Sequence, residues 1–104
     1  MNVADHKTLA CKLGTSGFNA RKGTIITAIR SIITHTHELP DGYRFVIRAT
    51  DENIDQVHSF VKTERECCAF FSFQVALPSG SDELHLSITG PEGAKEFIHQ
   101  EMGL

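Results

Sequence analysis

The chain has 104 residues, of which 40% are hydrophobic and 22% charged, and its formal net charge is −3. That length suits one domain able to bury a core without disulfides or metal as its main support. Ten scattered Lys and Arg residues, the closest pair being Arg21-Lys22, argue against a nucleic-acid binder, which would carry a concentrated basic face.

The opening residues Met1 to Lys7 contain no apolar run of the kind a secretory signal needs. The longest apolar-rich stretch, residues 24–34, is broken by Arg30 and is far shorter than a membrane span. The expectation is a single soluble, cytoplasmic domain over residues 1–104, with residues 1–7 open to disorder and no nucleic-acid or membrane partner. In that compartment the three cysteines are expected to be reduced, and an odd count fits a disulfide framework poorly.

In chain order, residues 8–13 read as a short strand or an extended lead-in, and Gly14-Thr15-Ser16-Gly17 as a turn or helix entry. From Asn19 to Thr34 the residues Ile25, Ile26, Ile29, Ile32 and Ile33 recur at three- and four-residue steps. This periodicity predicts an amphipathic helix despite the strand preference of β-branched side chains. Leu39-Pro40-Asp41-Gly42 has Pro and Gly where a turn favours them. Tyr43, Phe45, Ile47 and Ala49 then alternate with Arg44, Val46 and Arg48, predicting a half-buried strand.

Thr50 or Asp51 can cap a helix running to Glu66, whose apolar stripe holds Ile54, Val57, Val61 and Cys68, with Phe60 beside it. The period then changes from helical to two. Phe71, Phe73, Val75 and Leu77 share one face; after the turn at Pro78 to Asp82, Leu84, Leu86 and Ile88 do the same. Two such runs predict a hairpin. Thr89 and Glu92 have capping-box spacing with Pro91 between them, predicting a last helix to about Met102 that buries Ala94, Phe97 and Ile98.

The order predicts an α+β fold. It is a two-layer sandwich in which a small mixed or antiparallel sheet carries helices on one face. The strand at residues 43–49, the following helix and the strand from Phe70 form a crossover. The uncovered face, with Arg44, Arg48, Gln74 and His85, is left to solvent or to a dimer interface.

Cys67 and Cys68 are the leading chemical feature, because thiolates are the softest protein ligands and strong nucleophiles. Adjacent helical residues point about 100° apart, so both sulfurs reach one ion only where the backbone leaves regular helix, as at a helix end. The bland alternative is that these cysteines pack as small apolar residues. The pair lacks the second spaced pair of a zinc signature and is not a C-x-x-C redox motif. If the N-terminal segment lies against this junction, Cys11 joins Cys67 and Cys68 in a three-thiol cluster suited to soft ions.

Glu64, Arg65 and Glu66 read as a solvated helix face. The two acids and the negative end of the helix dipole oppose an unusually reactive thiolate. His6, His35, His37, His58, His85 and His99 read individually as surface or partly buried residues, with His35 and His37 near a helix end. No Ser-His-Asp order, HExxH, Walker loop or GxGxxG is present.

The segments Glu38-Leu39-Pro40-Asp41-Gly42-Tyr43-Arg44-Phe45, Glu64-Arg65-Glu66-Cys67-Cys68 and Thr89-Gly90-Pro91-Glu92-Gly93-Ala94-Lys95-Glu96-Phe97 together resemble a group of small uncharacterised bacterial proteins. That group is associated with heavy-metal-resistance contexts. The resemblance spans the last two-thirds of the chain, with a looser match at Ala10 to Leu13. Ala69 stands where the group commonly has proline, which softens the exit from the helix. The resemblance implies that Cys67, Cys68 and Cys11 meet soft metals, and it carries over no catalytic residue.

The reading that follows is a small protein binding a soft or thiophilic metal ion through Cys67, Cys68 and Cys11, without an assigned catalytic residue or organic cofactor. The competing readings are a homodimeric interaction protein with packing cysteines and a thiol-dependent enzyme.

Overall fold

The computed structural model describes residues 16–104, with side chains from Lys22 onward. The expected strand at residues 8–13 and Cys11 lie outside the described residues. Three helices and four strands follow in the order α1 (Ser16–Ile32), β1 (Ile33–Leu39), β2 (Gly42–Arg48), α2 (Asp51–Cys67), β3 (Ser72–Ala76), β4 (Glu83–Thr89) and α3 (Ala94–Glu101). The expected α+β sandwich is present, and its sheet is antiparallel throughout, in the spatial order β1-β2-β4-β3. Strand β4 enters between β2 and β3, so the crossover through α2 spans one intervening strand and makes a split β-α-β unit.

The core is written in the register of the two central strands. Tyr43, Phe45 and Ile47 of β2 stand opposite Ile88, Leu86 and Leu84 of β4, and all six are buried. The alternate pairs Arg44–Ser87, Val46–His85 and Arg48–Glu83 occupy the other face, as the period of two requires. Onto the apolar face pack Ile29 of α1, Val57 and Phe60 of α2, and Ala94 and Ile98 of α3. Full burial of each such Leu, Ile or Phe is worth about 1.5–3 kcal/mol, so packing outweighs the small helix-propensity cost of the isoleucines in α1.

Three local expectations need correction, while the turn expected at residues 39–42 is present. The helix predicted through Thr34 stops at Ile32, and β1 begins at the next residue, so His35 and His37 sit on a strand. This strand left no trace in the pattern because it is an edge strand whose interior residues are all exposed. Leu39-Pro40-Asp41-Gly42 is therefore a hairpin turn joining β1 to β2. The capping box at Thr89 and Glu92 does not form: Thr89 ends β4, and α3 starts after Gly93, which lies in the left-handed region at φ 95 and offers no side-chain cap. Finally, Val75 and Leu77 are 39% and 53% exposed, since β3 is the second edge strand and its far end is uncovered.

Thr50 caps α2 as expected: its Oγ1 accepts a hydrogen bond from the Asn53 backbone N–H at 3.1 Å. Thr50→Ala should lower unfolding stability by about 1 kcal/mol, measurable by urea titration. An unchanged midpoint would show that solvent satisfies this helix end equally well.

Among the described residues, no helix is long and apolar enough to cross a membrane.

Candidate metal centre

The end of α2 brings the two cysteines together. Cys67 is the last helical residue and Cys68 leaves the helix at φ −123, ψ 78, while its N–H still donates to the Glu64 carbonyl at 2.6 Å. The chain then turns through Ala69 and Phe70, with the Phe71 N–H donating to the Cys68 carbonyl at 3.1 Å. Phe70, Phe71, Phe73 and Phe97 lock this turn in edge-to-face contacts, their ring centroids 4.7–6.4 Å apart. The departure from helical geometry places the two Sγ atoms 3.6 Å apart, both buried.

Glu64 lies three and four residues before the cysteines and so on the same face of α2. The expected solvated face holds for Arg65 and Glu66 but fails for Glu64, which is 0% exposed. Neither of its carboxyl oxygens has a hydrogen bond of good geometry among the described residues. Burial first, and the neighbouring Glu101 carboxylate second, push the Glu64 carboxyl up to about 8, against a smaller opposing pull from Lys22.

Two further side chains complete the cluster, and sequence reasoning missed both. Lys22 of α1 is only 7% exposed. Its Nζ lies 2.7 Å from Glu101 Oε2, 3.0 Å from Cys67 Sγ, 3.6 Å from Glu64 Oε2 and 3.8 Å from Cys68 Sγ. Burial opposes its charge, but the bonds to Cys67 and Glu101 prevail, and the ammonium is held above the usual lysine range. Glu101 comes from the last turn of α3. One local signal was available for Glu64, the E-x-x-C-C spacing itself. Lys22 and Glu101 are 42 and 37 residues away from Glu64 along the chain (64 − 22 and 101 − 64), and no local pattern joins them.

The donor chemistry is mixed. One atom each from Glu64, Cys68 and Glu101 falls within 4.8 Å of the others, a spacing that a single ion can draw together, with Cys67 Sγ beside them. A borderline-soft ion accepts such carboxylate and thiolate ligands at about 2.0–2.3 Å. Cys67 is a reduced, buried thiol, whereas Cys68 is disulfide-bonded. The expectation that every cysteine is reduced is corrected at Cys68. A disulfide sulfur is no thiolate, so the candidate centre belongs to the reduced protein.

Of the three cysteines expected to bind metal, Cys67 and Cys68 adjoin, and Cys11 lies outside the described residues. Comparison with known protein families, curated proteins and solved structures finds no match to this chain, so the geometry of the Lys22, Glu64, Cys67, Cys68 and Glu101 cluster carries the functional argument.

Proposed function

We propose that the reduced protein captures a thiophilic metal ion at Glu64, Cys68 and Glu101, with Cys67 as the adjoining sulfur. The observation that carries this reading is Glu64: a fully buried carboxyl group with no well-formed hydrogen bond, facing a sulfur and a second carboxylate within 4.8 Å. A buried acid whose nearest counter-charge, Lys22 Nζ, stands 3.6 Å away without a well-formed hydrogen bond is incompletely compensated, and a metal ion bound directly between the two carboxyl groups would offset that cost. Sulfur in the set favours soft or borderline ions over magnesium and calcium, which take oxygen ligands and higher coordination numbers.

The α2 helix contributes Glu64 and Cys67, its C-cap contributes Cys68, and α3 contributes Glu101, so the site rests on packed elements. Such rigidity favours a binding role. An ion held there is buried, which suits capture or sequestration better than turnover of a substrate.

The test is cadmium binding to protein kept reduced with a phosphine, followed by the ultraviolet band of cadmium–thiolate bonds and by calorimetry. One ion per chain is expected. Cys68→Ser should reduce the thiolate band and weaken binding, and Glu101→Gln should weaken binding by about a hundredfold or more, beyond what loss of an outer-shell partner causes. Oxidised protein, in which Cys68 is spoken for, should bind no better than Cys68→Ser. Equal affinity in the wild type, Cys68→Ser and Glu101→Gln would sink the proposal.

A further inference from the structure

Resting on that reading, we infer that Lys22 is a tethered cation occupying the metal position, and that loading the centre requires its side chain to leave. Its Nζ is surrounded by two carboxyl oxygens and two sulfurs, at 2.7 and 3.6 Å and at 3.0 and 3.8 Å respectively. Once the disulfide at Cys68 is reduced, these four atoms would make a donor set of the kind a tetrahedral divalent ion takes. A metal drawn in by Glu64, Cys68 and Glu101 would lie within a few ångströms of the ammonium. Two cations cannot share a space so small and so poorly exposed to solvent, so ammonium and metal exclude one another.

Lysine suits this role better than arginine would. It presents a compact charge on a flexible four-carbon stem, with no planar fork fixing it to a carboxylate. Lys22 also belongs to α1, outside the two helices that supply the ligands, so its side chain can swing away while Glu64, Cys68 and Glu101 stay in place. The arrangement keeps the two acids from standing as an uncompensated buried pair when no metal is present.

It also narrows the ligand class. An entering ion must gain more from the four donors than Lys22 loses on departure. A hard ion gains little from sulfur, and the site is too buried to supply the waters that magnesium retains. Zinc, cadmium and mercury, with their strong bonds to thiolate, meet the requirement. Lys22 thus sets a threshold that admits thiophilic ions and turns away abundant hard ones.

Two measurements on the reduced 104-residue chain test this. Lys22→Met keeps most of the length and the helix preference of the side chain and removes the charge, and it should tighten cadmium binding at least tenfold by calorimetry. Independently, wild-type protein is treated with an amine-acetylating reagent with and without saturating cadmium, and Lys22 is read by mass spectrometry. Lys22 should be protected without metal and modified at least several-fold faster with it, whether or not the methionine variant folds. Continued protection of Lys22 in cadmium-saturated protein would overturn the inference while leaving the metal centre standing. Unchanged or weaker binding by folded Lys22→Met would do the same. If neither wild type nor Lys22→Met binds cadmium, both the centre and the role of Lys22 are refuted.

Discussion

Gly42→Ala is expected to cost about 3 kcal/mol or more of unfolding stability, at or above the upper end for forcing extra carbon into a packed site. Gly42 opens β2, pairs with Leu39 across the hairpin turn and with Thr89 on the other side. A Cβ placed there would lie 1.9 Å from the Ile88 carbonyl oxygen and 2.8 Å from the Thr89 Cα. Both obstacles are backbone in the neighbouring strand, which cannot rotate away as a flexible side chain would. The ends of β2 and β4 would have to separate, breaking the register that sets Tyr43 against Ile88. The loop from Thr89 into α3 would move with them, and that helix carries Glu101. Chemical denaturation should report a large drop in midpoint. The candidate metal centre, 22 positions along the chain at Glu64 (64 − 42), should weaken only through α3. A midpoint within 1 kcal/mol of wild type would mean that the two strands have more room than their spacing indicates.

The parts of the fold that were legible are those with a buried face. Phe45 and Ile47 in β2, Leu84 and Leu86 in β4, and Val57 and Phe60 in α2 each repeat at the period of their element, because burial on one side imposes that period. Strand β1 was illegible for the converse reason: with Thr34 through Glu38 all exposed, nothing in Thr-His-Thr-His-Glu distinguishes its two faces. The candidate centre divides along the same line. The proximity of Cys67 and Cys68 follows from their place at a helix end, and Glu64 joins them through helical spacing. Lys22 looked like an ordinary basic residue beside Arg21, and Glu101 like one more acid in a terminal helix. Only the packing of α1 and α3 around the end of α2 turns them into neighbours, and that long-range arrangement leaves no local signature.

Glu64→Gln should make the metal-free protein more stable at pH 8 and remove part of its pH dependence. The folded carboxyl titrates near 8 because of burial and the Glu101 carboxylate, against 4.5 for the unfolded group. Between those values the folded state holds a proton that the unfolded chain has released. Stability therefore falls as pH rises through that window, by on the order of 1 kcal/mol per pH unit at most. Below 4.5 both states are protonated and above 8 both are ionised, so the contribution is level at either end. Glutamine nearly matches the volume and the donor of the neutral acid but has no proton to lose. In chelator-treated, reduced protein, melting temperatures of wild type and Glu64→Gln should converge near pH 4.5. They should diverge steadily toward pH 8, where the variant melts about 5 °C or more higher, since 1 kcal/mol moves a domain of this size by about 4–8 °C. Parallel curves across the window would show that Glu64 ionises as freely in the fold as outside it. Cadmium should then reverse the order. Wild type should gain about 3 kcal/mol at a hundredfold excess over its dissociation constant, and Glu64→Gln, lacking the anionic ligand, should gain far less. Such a reversal would mark Glu64 as a ligand, since packing alone would favour the neutral amide.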